Sequence, residues 1–135
     1  MADVHPRGVI DTSVVIDLNH IDREILPAEI AITSITLAEL TAAPHAARDA
    51  EESAARQERL QRVEATFDAI PFDDHAARAY GPIYAAVLHS GQKARGPRSL
   101  DLQIACIALA HQLPLYTRNP HDLRAVQHLV EIIAV

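Results

Sequence analysis

The chain has 135 residues, a length that suits one domain with a hydrophobic core better than two. Hydrophobic residues make up 49% of it and aromatic residues only 4%, so we expect a core of Ala, Val, Leu and Ile. The net charge of −6 argues against a protein that holds nucleic acid by electrostatics alone, although bound cations would reverse the local sign.

Short β-branched runs alternate with longer helical patterns along the chain. Strands are predicted at 8–11, 30–33, 69–72, 115–117 and 130–135. Helices are predicted at 13–19, 34–43, 46–68, 74–90, 99–112 and 120–126, and Pro82 is expected to kink the fourth helix or divide it in two. The alternation is typical of one α/β domain, here residues 1–135, with a mostly parallel sheet covered on both faces.

The compartment is indicated by cysteine usage and by the lack of long apolar runs. Cys106 is the single cysteine, which excludes an internal disulfide and a CxxC metal site. No apolar run approaches the length of a membrane span, and the polar start MADVHPRG does not resemble a signal peptide. We therefore expect a soluble, cytoplasmic protein with no membrane contact.

The predicted helix between 46 and 68 is rich in charge and has only a thin apolar stripe. The apolar members of the stripe are Ala50, Ala54, Leu60, Val63 and Phe67. Two interpretations remain open, a solvated helix or one side of a groove that binds a partner.

Four carboxylates are predicted to meet at one edge of the sheet. Asp11 ends the first strand, and Glu39 lies in the first turns of the helix after the second strand. Asp101 begins the helix that runs back before the fourth strand, and Asp122 follows that strand. Ligands of open α/β sheets bind at the carboxyl ends of the strands, so this edge is the candidate site.

Asp101 is the least expected of the four. In RSLDLQIACIALAH, residues 98–111, it falls near the middle of an apolar arc of a helix. Either Ser99 caps this helix and Asp101 lies in its first turn at the positive end of the dipole, or Asp101 faces a site that requires negative charge.

The other three also have local explanations. Asp11 could cap the following helix, Thr36 and Glu39 fit a capping box, and Asp122 could be a surface residue. Capping alone gives no reason for all four acids to gather on one edge.

Clustered carboxylates repel one another unless a cation compensates them. Mg²⁺ binds through a few carboxylates, waters and substrate phosphate, and Mn²⁺ prefers similar ligands. The chemistry that fits is metal-assisted hydrolysis of a phosphodiester, in which the cation activates water and neutralises developing charge.

Three motifs resemble a known family. VIDTSVVIDL at 9–18, ITLAEL at 35–40 and RSLDLQIACIALAHQLPLYTRNPHDL at 98–123 are similar to PIN-domain ribonucleases, specifically the VapC-type toxins of toxin–antitoxin pairs. The order and spacing of Asp11, Glu39, Asp101 and Asp122 agree with the acidic quartet of that family. Leu123 departs from the pattern, since the family often has Phe there.

The resemblance implies a fold and an activity. The fold is a three-layer, PIN-like domain in which helices flank a parallel five-stranded sheet with the first strand central. The activity is endonucleolytic cleavage of RNA that depends on Mg²⁺ or Mn²⁺ bound at the acidic quartet. Partners implied are a VapB-type antitoxin that fills a groove and a second copy of the chain, as a homodimer.

Supporting residues also follow from the resemblance. Thr117 and Asn119 match a T-x-N-x-x-D motif and would orient the metal site, as would Thr12 or Ser13. The cations nearest to Asp101 in sequence are predicted to bind RNA, and they are Lys93, Arg95 and Arg98.

Other classes fit less well. A haloacid-dehalogenase-like phosphatase needs a second Asp two residues after the first, where this chain has Ser13, and a Ser–His–Asp hydrolase would need a G-x-S-x-G elbow that is absent. The alternative that stays open is a catalytically inactive PIN-like module that binds RNA or acts as a scaffold.

Overall fold

The computed structural model describes residues 5–92 and 97–135, which form a five-stranded sheet flanked by helices. The strands are β1 (Arg7–Ile10), β2 (Glu29–Thr33), β3 (Ala69–Ile70), β4 (Leu115–Thr117) and β5 (Ile132–Ala134). The α-helices are α1 (Thr12–Ile16), α2 (Ser34–Ala42), α3 (Ala50–Thr66), α4 (Asp74–His89) and α5 (Pro97–Ala110). Short 3-10 helices occupy Leu18–His20, Arg23–Ile25, Ala43–Ala46 and Pro120–Val126.

All strand pairs are parallel, and the order across the sheet is β3-β2-β1-β4-β5. Val9 of the central strand β1 pairs with Ala31 of β2 on one side and with Leu115 of β4 on the other. The expectations of a parallel five-stranded sheet and of a central first strand are confirmed. This order puts the residues that follow β1, β2 and β4 next to one another at one edge.

The core lies on both faces of the sheet, because successive residues of a strand point to opposite sides. Val9 packs in one cluster with Ile83 of α4 and Ile104 of α5. Its neighbour Ile10 packs in a second cluster with Leu60 of α3. The chain therefore has three layers, with helices on both faces of the sheet.

Gly8 is required by the closeness of β1 to the Tyr116 ring. A Cβ added at Gly8 would lie 2.5 Å from Cε1 of Tyr116 and 3.1 Å from Pro27. Because Tyr116 is only 3% exposed, its ring has little room to move away.

Two predicted helices differ from the observed ones. The helix predicted at 46–68 begins later, because a 3-10 helix occupies Ala43–Ala46 and α3 starts only after Asp49, whose carboxylate accepts from the Glu52 N–H at 2.8 Å. Helix α4 is not divided at Pro82 but runs as one helix through it. Pro82 is exposed, so its ring lies against solvent and not against the core.

The sequence predicts no membrane-spanning segment, and the lengths and polarities of the helices test this expectation. Within the described ranges, no helix is both long and apolar enough to span a bilayer.

Candidate active site

Buried polar side chains mark the edge of the sheet where the strands end. Among residues 5–92 and 97–135, the buried polar residues are Asp11, Thr33, Thr36 and Thr117. Asp11 follows β1, Thr33 and Thr117 end β2 and β4, and Thr36 lies in the first turn of α2. Buried polar groups need partners, so their gathering here indicates a hydrogen-bonded site and not a patch of core.

Asp11 caps α1 and is 6% exposed. Its Oδ1 accepts from the Ser13 hydroxyl at 2.5 Å and from the Val14 N–H at 3.2 Å. Its own N–H donates to the Tyr116 carbonyl at 3.0 Å, which continues the β1–β4 pairing into the site. The capping interpretation of Asp11 is thus correct, and it does not compete with a second role, because both side-chain bonds use Oδ1.

Glu39 does not belong to a capping box. The N-cap of α2 is Thr33, whose hydroxyl accepts from the Thr36 N–H at 3.2 Å, so Glu39 lies in the second turn of the helix. Its Oε1 accepts from the Thr12 hydroxyl at 2.7 Å, and the Thr12 and Thr36 hydroxyl oxygens are 3.0 Å apart. Glu39 is held toward α1 by these threonines and is half-buried.

Asp101 also lies deeper in its helix than expected. Because α5 begins at Pro97, Ser99 is not its N-cap and Asp101 falls in the second turn. The dipole effect decays within the first turn, so the helix terminus alone is a poor explanation for this carboxylate. The apolar arc around it is buried at Ile104 and Ala105, whereas Leu100 is 38% exposed.

The pKa of Asp101 reports what surrounds it. It is raised from 3.8 to about 6, first by burial and then by nearby negative charges. The charges that raise it belong to Asp11, Glu39 and Asp122, whereas Arg98 lowers it. The four predicted acids therefore lie close enough to repel one another, although they come from four separate segments.

Asp122 is exposed on the outer side of this group, in the 3-10 helix that follows β4. Hydrogen bonds fix the turn that leads to it: Asp122 N–H donates to the Asn119 carbonyl at 3.1 Å, and Asn119 N–H donates to the Thr117 hydroxyl at 3.0 Å. Thr117 and Asn119 shape this turn, and no hydrogen bond from either side chain to the four carboxylates is found among the described residues.

Two residues that the sequence did not single out complete this network. Thr36 links to Thr12, and Arg118 donates its N–H to the Ser13 hydroxyl at 3.1 Å while its Nε lies 3.3 Å from Asp17. The signal for Arg118 was its place directly after Thr117 at the end of a strand. Thr36 was considered only as part of a cap.

The predicted RNA-binding cations are placed in part. Lys93 and Arg95 lie outside the described residues, so their expectation stays a prediction. Arg98 is in the first turn of α5 and is half-buried, and its charge acts on Asp101.

The donor set suits a hard divalent cation, because carboxylate and hydroxyl oxygens gather at the site. Over the described ranges, no three His, Cys, Asp or Glu side chains are arranged ready to hold a metal ion. Mg²⁺ tolerates such an open arrangement, since it keeps several waters and takes only one or two carboxylates directly.

Comparisons with known proteins give consistent similarities. Residues 8–129 match the family model of the PIN domain. Ribonuclease VapC5 of Mycobacterium tuberculosis is 34% identical over 140 residues, which cover 100% of both chains. The crystal structure of VapBC-5, a member of the VapBC family of toxin-antitoxin systems from the same species, matches with 36% identity and a TM-score of 0.85 and covers 96% of this chain and 99% of that chain. VapBC2 from Rickettsia felis, bound to a promoter DNA fragment, shares the fold, with a TM-score of 0.77, 23% identity and coverage of 96% and 98%.

Proposed function

Because this chain belongs to the PIN-domain family, we propose that it is a metal-dependent endoribonuclease and the toxin of a VapBC-type pair. The observation that carries the proposal is that the carboxylate of Asp101 lies close enough to three other acids, from remote segments of the chain, to be repelled by their charges. Four carboxylates that repel one another do not stabilise the fold, so their clustering is best explained by a bound cation. The M. tuberculosis relative is named a ribonuclease, which supports RNA as substrate.

Asp11, Glu39, Asp101 and Asp122 are the proposed ligands, some bound directly and the others through water held by the cation, and Mg²⁺ is the proposed metal, with Mn²⁺ as a substitute. When bound, the divalent cation activates the attacking water and neutralises charge that develops on the phosphate. The protein itself orients the carboxylates. Ser13 holds Asp11, and Thr12 holds Glu39, so neither carboxylate has to be reoriented when the substrate arrives.

RNA binding is proposed to rest on local cations, since the chain carries a net charge of −6. The charge of Arg98 acts on Asp101, and Lys93 and Arg95 precede Arg98 by a few residues in the sequence. Arginine and lysine at this position would bind the phosphates on either side of the scissile bond. Thr117 and Asn119 are proposed to keep Asp122 at the edge of the site.

A groove between α1 and α3 is the proposed contact surface for a VapB-type antitoxin. It contains a cavity of about 320 Å³ whose lining includes Ile16, Val63, Phe67, Arg59 and Arg62. Ile16 is 46% exposed, and a second depression that extends to Ala43 and Ala46 shares Ile16 and Arg59 with the first. Apolar side chains between arginines suit a partner segment that combines apolar and acidic residues.

This groove bears on the two interpretations of segment 46–68. Leu60 and Val63 of α3 are buried, but Ala50 and Ala54 are exposed, so most of the helix surface is solvated. The solvated interpretation holds for that outer surface, and the groove interpretation is proposed for the side that faces Ile16. A homodimer in the cytoplasm completes the proposal.

The deciding experiment is RNA cleavage by the purified full chain with Mg²⁺, with Mn²⁺ and with chelator. We expect cleavage with either metal, none with chelator, and loss of cleavage in Asp11→Asn. Asp68→Asn is the matched control, because Asp68 is an exposed acid outside the site, and it should cleave normally. RNA binding without cleavage under every metal condition would replace the proposal by the inactive PIN-like binding module.

A further inference from the structure

Arg118 is an exposed arginine directly after β4, at the same edge of the sheet as the four carboxylates. Its backbone N–H donates to the Ser13 hydroxyl at 3.1 Å, and that hydroxyl donates to Oδ1 of Asp11 at 2.5 Å. Two hydrogen bonds in series therefore connect the backbone of Arg118 to a proposed metal ligand. They fix the base of its side chain relative to the candidate site.

The side chain of Arg118 extends toward the end of α1. Its Nε lies 3.3 Å from a carboxylate oxygen of Asp17, the residue that follows α1, and the two side chains are 36% and 44% exposed. An ion pair as exposed as this one contributes little to stability, because water and salt screen both charges. What the pair provides is a direction for the guanidinium group.

The contact with Asp17 leaves most of the guanidinium group available. Among residues 5–92 and 97–135, no hydrogen bond from the terminal nitrogens Nη1 and Nη2 of Arg118 is found. These two nitrogens carry most of the N–H donors of the group, and they form a planar fork that matches two oxygens of a phosphate. Arg118 thus presents an oriented phosphate-binding group beside the site.

Arg118 and Arg98 lie on opposite sides of the four carboxylates. Val14 of α1 and Ile104 of α5 belong to the two core clusters on opposite faces of the sheet. Arg118 extends along α1, whereas Arg98 is in the first turn of α5, where its charge acts on Asp101. A strand of RNA that crosses the edge between these helices would meet an arginine on each side of the carboxylates.

An RNA substrate needs such contacts on this chain. The net charge of −6 repels RNA as a whole, and a cation at the carboxylates would neutralise charge only at the phosphate that it binds. The neighbouring phosphates remain charged. A guanidinium group that donates two parallel hydrogen bonds compensates one of them and fixes the register of the strand.

We propose that Arg118 binds a backbone phosphate of the RNA next to the scissile one, on the side of the site formed by α1. The inference rests on the ribonuclease of the proposed function and adds a substrate-binding residue to it. It concerns recognition of the RNA backbone and not the metal.

The first test is the binding of a fluorescein-labelled single-stranded oligoribonucleotide to the full chain, in chelator, over a range of salt concentrations. Arg118→Ala should raise the Kd about tenfold and reduce the slope of log Kd against log salt by about 0.7, the value for one phosphate of a single strand. Arg118→Lys keeps the charge but not the fork, so it should keep the slope and recover only part of the affinity.

Arg7→Ala is the matched control for Arg118→Ala. Arg7 is also an exposed arginine in an ion pair, with Glu29 at 3.5 Å, and its side chain is 43% exposed. It begins β1 and therefore lies at the opposite edge of the sheet. Its alanine variant should bind the RNA as wild type does.

Asp17→Asn separates substrate binding from a structural ion pair. Asn keeps an oxygen for Nε of Arg118 but removes a negative charge that repels the phosphate, so the Kd should fall about two- to threefold. A purely structural pair would instead make Asp17→Asn and Arg118→Ala lose affinity and melting temperature together. Circular dichroism melts of both variants measure the second quantity.

Cleavage kinetics with Mg²⁺ give a further readout. Arg118→Ala should raise KM about tenfold and change kcat little, because the contact is the same in the ground state and in the transition state. An Arg118→Ala variant with the Kd and salt slope of Arg7→Ala, or an Asp17→Asn variant that binds as weakly as Arg118→Ala, would overturn the inference and leave the ribonuclease proposal standing. RNA that is bound with the expected dependence on Arg118 but never cleaved would overturn the ribonuclease proposal and leave the phosphate contact standing.

Discussion

Thr12 donates a 2.7 Å hydrogen bond from its hydroxyl to Oε1 of Glu39, 27 residues further along the chain. Thr12 begins the helix after β1, and Glu39 lies in the helix after β2. The bond therefore ties together the two helices that leave neighbouring parallel strands. It fixes a carboxylate of the candidate site by a group that is not itself a proposed ligand.

Replacing Thr12 tests that positioning role. Thr12→Val keeps the shape but removes the donor, so we expect RNA cleavage and apparent Mg²⁺ affinity to fall by about 10- to 100-fold. Stability should fall by only about 1 kcal/mol, the net worth of one hydrogen bond. Thr12→Ser restores the hydroxyl and should recover most of the activity.

The control for Thr12 is Thr66→Val, since among the described residues the Thr66 hydroxyl bonds only the Arg62 carbonyl of its own helix, at 2.7 Å. Equal losses in Thr12→Val and Thr66→Val, or no recovery in Thr12→Ser, would contradict a positioning role.

Asp101→Asn should affect activity and metal-free stability in opposite directions. Cleavage should be lost because a proposed ligand is gone, whereas stability without metal should stay equal or rise, since one of four repelling charges is removed. The stabilisation by Mg²⁺, about 2.7 kcal/mol at a hundredfold excess over Kd, should shrink. Melting curves with Mg²⁺ and with chelator, together with a cleavage assay, measure all three.

Glu64→Gln is the charge-matched control for Asp101→Asn, because Glu64 is exposed on α3, and it should resemble wild type. If Asp101 served only the helix dipole, its Asn variant would lose at most about 1 kcal/mol and keep full activity.

The raised pKa of Asp101 predicts how metal-free stability depends on pH. The folded chain binds this proton more tightly than the unfolded chain, since the pKa is about 6 in the fold and 3.8 ordinarily. The contribution of Asp101 to stability is thus fully present below pH 3.8 and is lost as pH rises through 6. Denaturant titrations in chelator should show the advantage of Asp101→Asn over wild type growing across this window. A constant difference between the two proteins would contradict the shift.

Three cations that precede Asp101 in the sequence should control the salt dependence of RNA binding. Replacing Lys93, Arg95 and Arg98 together by alanine should weaken RNA affinity and flatten its dependence on salt, because fewer phosphate contacts release fewer counterions. Binding is measured in chelator to prevent cleavage. A charge-matched control carries alanine at three exposed arginines elsewhere, Arg7, Arg48 and Arg62. An unchanged salt slope in the triple variant of Lys93, Arg95 and Arg98 would contradict this prediction.

The groove between α1 and α3 should determine affinity for the antitoxin. Ile16→Asp and Arg59→Glu are each expected to raise the Kd by about 10- to 100-fold, since one removes an apolar anchor and the other reverses a charge. Ile25→Asp is the control, because Ile25 is 51% exposed, close to the 46% of Ile16, and lies outside the groove; it should bind normally. Hydrogen exchange should show protection within 34–68 on binding, and the placement fails if this segment stays unprotected.

Much of the fold followed from local patterns. The central strand was predicted at 8–11 and found at Arg7–Ile10, and the fourth strand was found as predicted, at Leu115–Thr117. Such strands can be predicted from sequence because β-branched runs that are buried on both faces differ in composition from the helices between them. The start of α3 was predicted four residues too early, at 46, although Asp49 has the side chain of a good N-cap.

Only part of the candidate site could be predicted from the sequence. Strand ends and helix starts pointed to one edge because parallel strands all finish there, which is a rule of topology. Whether Glu39 belonged to a capping box, and whether Asp101 lay in a first turn, depended on where the two helices start. Helix α2 is capped by Thr33 and α5 begins at Pro97, so both acids lie in second turns. The bond from Thr12 to Glu39 and the link from Arg118 to Ser13 join segments 27 and 105 residues apart. Contacts of that range depend on strand register and side-chain packing, so only the folded chain could establish them.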